Sequence, residues 1–112
     1  MLGRSHRFHG YGSLRGVYQR GRSARGPLMS LKFAQRQAGR PYRVAVVVSR
    51  KVNKSAVVRN RIRRRVYEQV RLAEKEIAPG TDLVFTAFSD QLATIEAQKL
   101  KNLVEELLKK TN

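Results

Sequence analysis

No carboxylate precedes Glu68 in this chain of 112 residues, and that single fact limits how the chain can fold. Residues 1–67 hold eighteen Arg or Lys and no acid, a formal +18; residues 68–112 hold six basic and eight acidic residues, a formal −2. Unpaired like charges repel one another in a compact state. The first two-thirds therefore fold with their cations outward, and the excess makes sense if a polyanion neutralises it. Arg far outnumbers Lys there, with Lys only at 32, 51 and 54. The planar fork of Arg donates two hydrogen bonds to one phosphate and stacks on bases, so nucleic acid is the expected partner. At this length one modest core is available.

Other classes fit less well. Without cysteine there are no disulfides, thiolate metal sites or Cys nucleophile. No apolar run approaches the ~18–20 residues of a membrane span, and no apolar stretch follows the basic N-terminus as in a secretory signal. A cytoplasmic protein with no membrane partner and no small-molecule substrate is expected. His6 and His9 stand three apart without a neighbouring carboxylate or Cys, short of the three or four ligands a metal site needs. A two-metal nuclease site needs clustered carboxylates. The glycines at 3, 10, 12 and 16 form neither a GxGxxG nor a P-loop. No catalytic residue, bound metal or protein-held cofactor is expected.

Residues 1–12, rich in Gly, Arg and His, read as a flexible basic tail, and 13–112 as one RNA-binding domain. Leu14, Val17 and Tyr18 share a helical face. This predicts a short helix over 13–20, with Ser13 as N-cap and Gly21 as its stop. Residues 22–27 form a basic link or brief edge strand, 28–35 a strand, and Gly39 and Pro41 mark a turn. In 42–49, Val44, Val46 and Val48 alternate with Ala45 and Val47; apolar groups on both faces predict a central strand. A polar loop, 50–55, ends in the candidate cap Ser55. From Ala56 to Glu76 the period is helical, with Val58, Ile62, Val66, Gln69, Val70 and Ala73 on one side. Pro79-Gly80 makes a turn. Residues 82–88 are a further strand. A last helix, 94–110, is capped by Thr94 and buries Ala97, Leu100, Leu103, Val104, Leu107 and Leu108. The order α-β-β-(β)-α-β-α describes an α+β fold, a two-layer α/β sandwich of three helices on a small mixed sheet. Parallel pairing across the β-α-β stretch 42–88 would ordinarily bring a right-handed crossover.

The helix from Ala56 carries the chemistry. Asn60, Arg61, Arg64 and Arg71 lie opposite its apolar stripe, and Arg59, Arg63 and Arg65 flank it. No Glu lies within four residues of Arg59, Asn60, Arg61 or Arg63, so pairing along the helix cannot neutralise them. A solvated charged face is the bland alternative; its usual Glu neighbours are missing.

The run RVAVVVSRKVNKSAVVRNRIRRRVYEQVR, from Arg43 to Arg71, resembles the central segment of bacterial ribonuclease P proteins. There a valine-rich strand ends in Ser-Lys-Lys-Val or similar, and a Gly/Asn/Lys loop leads into Ala-Val-X-Arg-Asn-Arg-Ile-Lys-Arg. Here the strand ends Ser49-Arg50-Lys51-Val52, the loop is Asn53-Lys54-Ser55, and the helix opens Ala56-Val57-Val58-Arg59-Asn60-Arg61-Ile62-Arg63-Arg64. The match is dense over about 25 residues and weaker from Ser13 to the C-terminus.

The resemblance implies an α/β sandwich whose β-α-β crossover is left-handed, against the general rule. It implies that Arg50, Lys51, Lys54, Arg59, Asn60, Arg61, Arg63 and Arg64 touch a catalytic RNA. That RNA, holding Mg2+, removes the 5′ leader from precursor tRNA. It also implies a leader cleft between the first helix and the sheet. Tyr18 matches an aromatic position there, Leu14 stands where Phe is common, and Lys32 stands near an often aromatic position with Phe33 and Tyr42 as neighbours. Core packing is the alternative role for Tyr18 and Phe33. Three rival functions are a basic structural ribosomal protein, a protein-only nuclease and a duplex-DNA binder.

Overall fold

The computed structural model describes residues 6, 8, 11–35 and 40–111, the first three residues of the opening helix by backbone alone. Most of the tail predicted over 1–12, and Gly39 of the predicted turn, lie outside these residues.

The elements follow the order α1 (Tyr11–Arg20), β1 (Arg22–Arg25), β2 (Met29–Gln35), β3 (Arg43–Val47), α2 (Ala56–Leu72), β4 (Thr81–Ala87) and α3 (Ala97–Lys109). Helix α1 begins two residues before the expected start, so Ser13 is a helical residue and not its cap. Its end is as expected: the Gly21 N–H donates to Val17 O at 2.7 Å. A Cβ on Gly21 would stand 2.3 Å from Val17 O and 3.1 Å from Phe33 O, so the chain can turn into β1 here only with glycine.

The basic segment after Gly21 is an edge strand, paired antiparallel to β2 with Ala24 opposite Leu31. The full order is β1-β2-β4-β3: β2 and β4 pair antiparallel, β3 and β4 parallel. This corrects the expectation for the valine-rich stretch, because β3 is an edge strand and β4 lies inside the sheet. Every residue of β4 except Thr86 is buried. Ala45 and Val47, whose apolar character argued for a central place, are only half-buried. The outer edge of β3 is partly covered by α2, whose Tyr67 hydroxyl accepts the Val46 N–H at 3.3 Å.

The two faces of the sheet follow from the register. Met29, Leu31, Phe33, Val44, Val46, Leu83, Phe85 and Ala87 share one face. They join Ile62, Val66 and Val70 of α2 and Leu100, Val104, Leu107 and Leu108 of α3 in one core. Lys32, Val84 and Ala45 alternate onto the other face, with Ser30, Thr86 and Val47 beside them. Helix α1 lies there: Val17 and Val84 are fully buried yet stand outside the main core.

Helix α2 starts where expected, with the Ser55 Oγ accepting the Val58 N–H at 3.4 Å. It ends at Leu72, earlier than the predicted Glu76, and one 3-10 turn (Glu74–Glu76) leads on to Gly80 at φ 80°. Ile62, Val66 and Val70 are its buried residues; Val58, Gln69 and Ala73 are half-buried at its flanks. Helix α3 starts later than predicted. Thr94 closes a 3-10 turn (Asp90–Ala93), Glu96 occupies the cap position and Ala97 is exposed. The Thr94 hydroxyl donates back to Gln91 O at 3.4 Å, so it serves the preceding turn.

Candidate RNA-binding surface

The parallel β3–β4 pair places the loop after β3 and the first turns of α2 at the sheet end where β4 finishes. The eight residues predicted to touch RNA gather there, in two kinds of environment. Arg50, Lys51, Lys54, Asn60, Arg61 and Arg64 are exposed. Arg59 and Arg63 are half-buried and engaged in shaping the surface. The Arg59 Nη1 donates to the carbonyls of Asn53 (3.1 Å) and Lys54 (2.9 Å). Arg63 donates to Asn60 Oδ1 and reaches Val48 O at 3.5 Å.

The loop is further held by Asn53. Its Oδ1 accepts the Ser55 N–H at 2.8 Å, and its Nδ2 donates to Asp90 at 3.1 Å. Arg65, flanking the stripe, donates both terminal nitrogens to the carbonyls of Leu92 and Ile95. That bond ties α2 to the segment before α3.

Among the described residues, none of the eight is ion-paired with a carboxylate; the pairs run between Arg43 and Asp82, Arg71 and Glu68, and Lys101 and Glu105. Three carbonyl-bound arginines thus set the backbone, and Arg50, Lys51, Lys54, Arg61 and Arg64 present charge to solvent. Cations presented in this way have the chemistry to neutralise phosphates with release of counterions.

The second predicted surface is partly assembled. Tyr18, exposed on α1, lies under Lys32, whose Nζ is 5.4 Å from the ring centre and donates to Tyr18 O at 3.4 Å. Leu14, half-buried, shares that helix. Phe33 is not with them. Its place in the register turns it onto the core face, where it is buried and meets Arg22 at 5.9 Å.

Sequence reasoning missed several contacts around the sheet. Arg43 holds the buried Asp82 through two bonds, Nε at 2.9 Å and Nη2 at 2.8 Å, and this hydrogen bonding raises the pKa of the guanidinium. The Phe8 ring lies 4.6 Å from that guanidinium. His6 stacks on Tyr42 at 4.0 Å and bonds its carbonyl oxygen at 2.9 Å; His9 lies outside the described residues. At the far end Arg25 covers the exposed Phe88 at 5.1 Å. The absence of acid before Glu68 gave no sign that Asp82 would reach back to Arg43. Among the described residues, no three His, Asp or Glu side chains gather to hold a metal, and no helix is long and apolar enough to cross a membrane.

The family model described as Ribonuclease P matches residues 2–112. The chain belongs to the ribonuclease P protein family. It is 35% identical to the ribonuclease P protein component of Brevibacillus brevis over 105 residues, spanning 94% of this chain and 79% of that one. It is 50% identical to that of Roseiflexus castenholzii over 68 residues, a stretch that spans 61% of this chain and about half (55%) of the relative. The Thermotoga maritima ribonuclease P protein superposes with a TM-score of 0.76 at 25% identity, over 87% of this chain and 89% of that one. The Staphylococcus aureus ribonuclease P protein superposes with a TM-score of 0.83 over 97% of both chains; at 20% identity that likeness speaks for the fold alone. Membership in this family favours the ribonuclease P reading over the ribosomal alternative.

Proposed function

We propose that this chain supports a catalytic RNA in removing the 5′ leader from precursor tRNA. In this reading Arg50, Lys51, Lys54, Arg61 and Arg64 neutralise phosphates of the RNA, Asn60 adds a planar polar contact, and Arg59 and Arg63 hold the loop and helix in shape. Tyr18 and Lys32, with Leu14 beside them, meet the single-stranded leader on the other face of the sheet, and Phe33 keeps to the core. The magnesium ions belong to the RNA, and the protein contributes neutralisation and positioning. The setting is the cytoplasm.

The observation that carries the reading is a cationic first half of α2 whose Arg59, Arg61, Arg63 and Arg64 have no carboxylate partner among the described residues, with an exposed aromatic beside a lysine on the opposite face of the sheet. A base stacked on an aromatic contributes about 1–3 kcal/mol. That is enough to favour precursor, which has a leader, over mature tRNA, which does not.

The test adds purified protein to its cognate RNA at low magnesium and measures precursor cleavage and the affinity ratio of precursor to product. Both should rise. Unchanged cleavage together with an unchanged ratio would reject the proposal.

A further inference from the structure

Helix α1 carries Leu14 and Tyr18, and little of its own packing holds it in place. It is ten residues long, and an isolated helix shorter than ~12–15 residues is marginal in water. Gly12 and Gly16 weaken it further, and its first turn has no acidic residue to complement the helix dipole. Among its described side chains only Val17 is buried. The fastenings gather at the C-terminal end: Val17 itself, the Lys32 bond to Tyr18 O at 3.4 Å, and the turn at Gly21.

The start of α1 is fastened differently, by residues that precede it. The His6 ring stacks on Tyr42 at 4.0 Å, and its Nδ1 donates to the Tyr42 carbonyl at 2.9 Å. The Phe8 ring lies 4.6 Å from the Arg43 guanidinium, close enough for a cation–π attraction. Both strand residues are themselves held in place. Tyr42 is buried and donates its hydroxyl to Glu74 at 3.0 Å, and Arg43 is clamped to the buried Asp82. Arg43 and Asp82 stand two residues before Ala45 and Val84 in the register, on the face that α1 covers. Phe8 precedes Tyr11 by three residues, so at most ~11 Å of chain joins this anchor to the helix.

We propose that His6 and Phe8 are positioning residues for leader binding. They hold the first turns of α1 against the sheet, so that Leu14 and Tyr18 are in place before the RNA arrives. The inference rests on the leader reading above. A helix fixed at both ends loses less entropy on binding than one fixed at its C-terminal end alone. The anchor thus acts on leader affinity without touching the leader.

The test measures hydrogen exchange of the α1 amides in the full chain. Beside it stand the affinities of the complex with cognate catalytic RNA for leader-bearing and leaderless tRNA. In Phe8→Ala the α1 amides should exchange faster, while those of β2, β4 and α2 stay as protected as before. The affinity ratio of leader-bearing to leaderless tRNA should fall about fivefold, the equivalent of ordering one residue's backbone on binding. Affinity for the catalytic RNA should not change. Phe8→Tyr, which keeps a ring over Arg43, should restore both the α1 protection and the ratio. His6→Ala removes the other fastening and should act in the same direction; it decides the matter if Phe8→Ala does not fold. Faster α1 exchange with an undiminished ratio would make the anchor merely structural and overturn the proposal, as would unchanged exchange. A wild-type protein that does not distinguish leader-bearing from leaderless tRNA would instead overturn the reading beneath, and the positioning role with it.

Discussion

The two faces of the sheet divide the work of the molecule. One face carries Leu31, Phe33, Val46, Leu83 and Phe85 and disappears under α2 and α3. The other carries Ser30, Lys32, Ala45, Val47 and Thr86, all half-buried, and α1 closes only part of it. The same four strands supply both, because successive side chains of a strand point to opposite sides. Burial of apolar area, at roughly 25 cal/mol per Å², is concentrated on the first face and sustains the fold. The second face keeps enough surface uncovered to meet another molecule. A stable core and a partly open face can thus share a backbone of 112 residues, provided their side chains do not exchange.

The sharpest way to break this contrast is a pair of adjacent substitutions on β4. Phe85→Ala, at the centre of the packed face, should cost about 3–5 kcal/mol. Thr86→Ala, one residue on and facing the other way, should change stability by about 0.5 kcal/mol. Denaturant melts of the two variants would show the division, and equal losses would refute it.

A second contrast lies within α2. Arg65→Ala removes two charge-assisted bonds to carbonyls and should lower stability by about 2–3 kcal/mol. The salt dependence of RNA binding should hardly change. Arg64→Ala should do the reverse: an unaltered melting temperature, with a salt slope for RNA binding reduced by about one. Melts and binding titrations at several salt concentrations separate the two.

On the open face, Tyr18→Ala should reduce affinity for leader-bearing RNA by about 1–3 kcal/mol and leave affinity for leaderless RNA as it was. Parallel titrations with the two RNAs check this. If both affinities fall together, α1 has been disturbed and the tyrosine is not a leader contact.

The smallest expected effect concerns pH. Burial, followed by the hydrogen bond its hydroxyl donates to Glu74 at 3.0 Å, raises the pKa of Tyr42. Because the folded-state pKa lies above the unfolded one, the protonated phenol contributes stability that is fully present below the ordinary tyrosine pKa of about 10. That contribution is lost as pH rises beyond it. Stability should therefore decline above pH ~10, and less steeply in Tyr42→Phe. A melting-temperature series from pH 8 to 11 reads the difference.

Much of this was legible in the chain itself. The helical spacing of Ile62, Val66 and Val70 determined which side of α2 is buried, and so which arginines face outward. The acid-free first two-thirds determined that Arg59, Arg61 and Arg63 would find no carboxylate within four residues in sequence. The period of two in β2 and β4 determined their faces. These are local properties, set by 3.6 residues per turn and by strand alternation.

What only tertiary structure decided was partnership over distance. The valine-rich β3 is equally apolar at the edge or the centre of a sheet, and its edge place follows from β2 pairing with β4. Arg59, Arg63 and Arg65 resemble Arg61 and Arg64 in sequence, yet folding brings the carbonyls of Asn53, Val48 and Leu92 within their reach. Asp82 meets Arg43, and Gln69 finds no donor, for the same reason. A hydrogen bond depends on where both atoms stand, and composition and period specify only one of them.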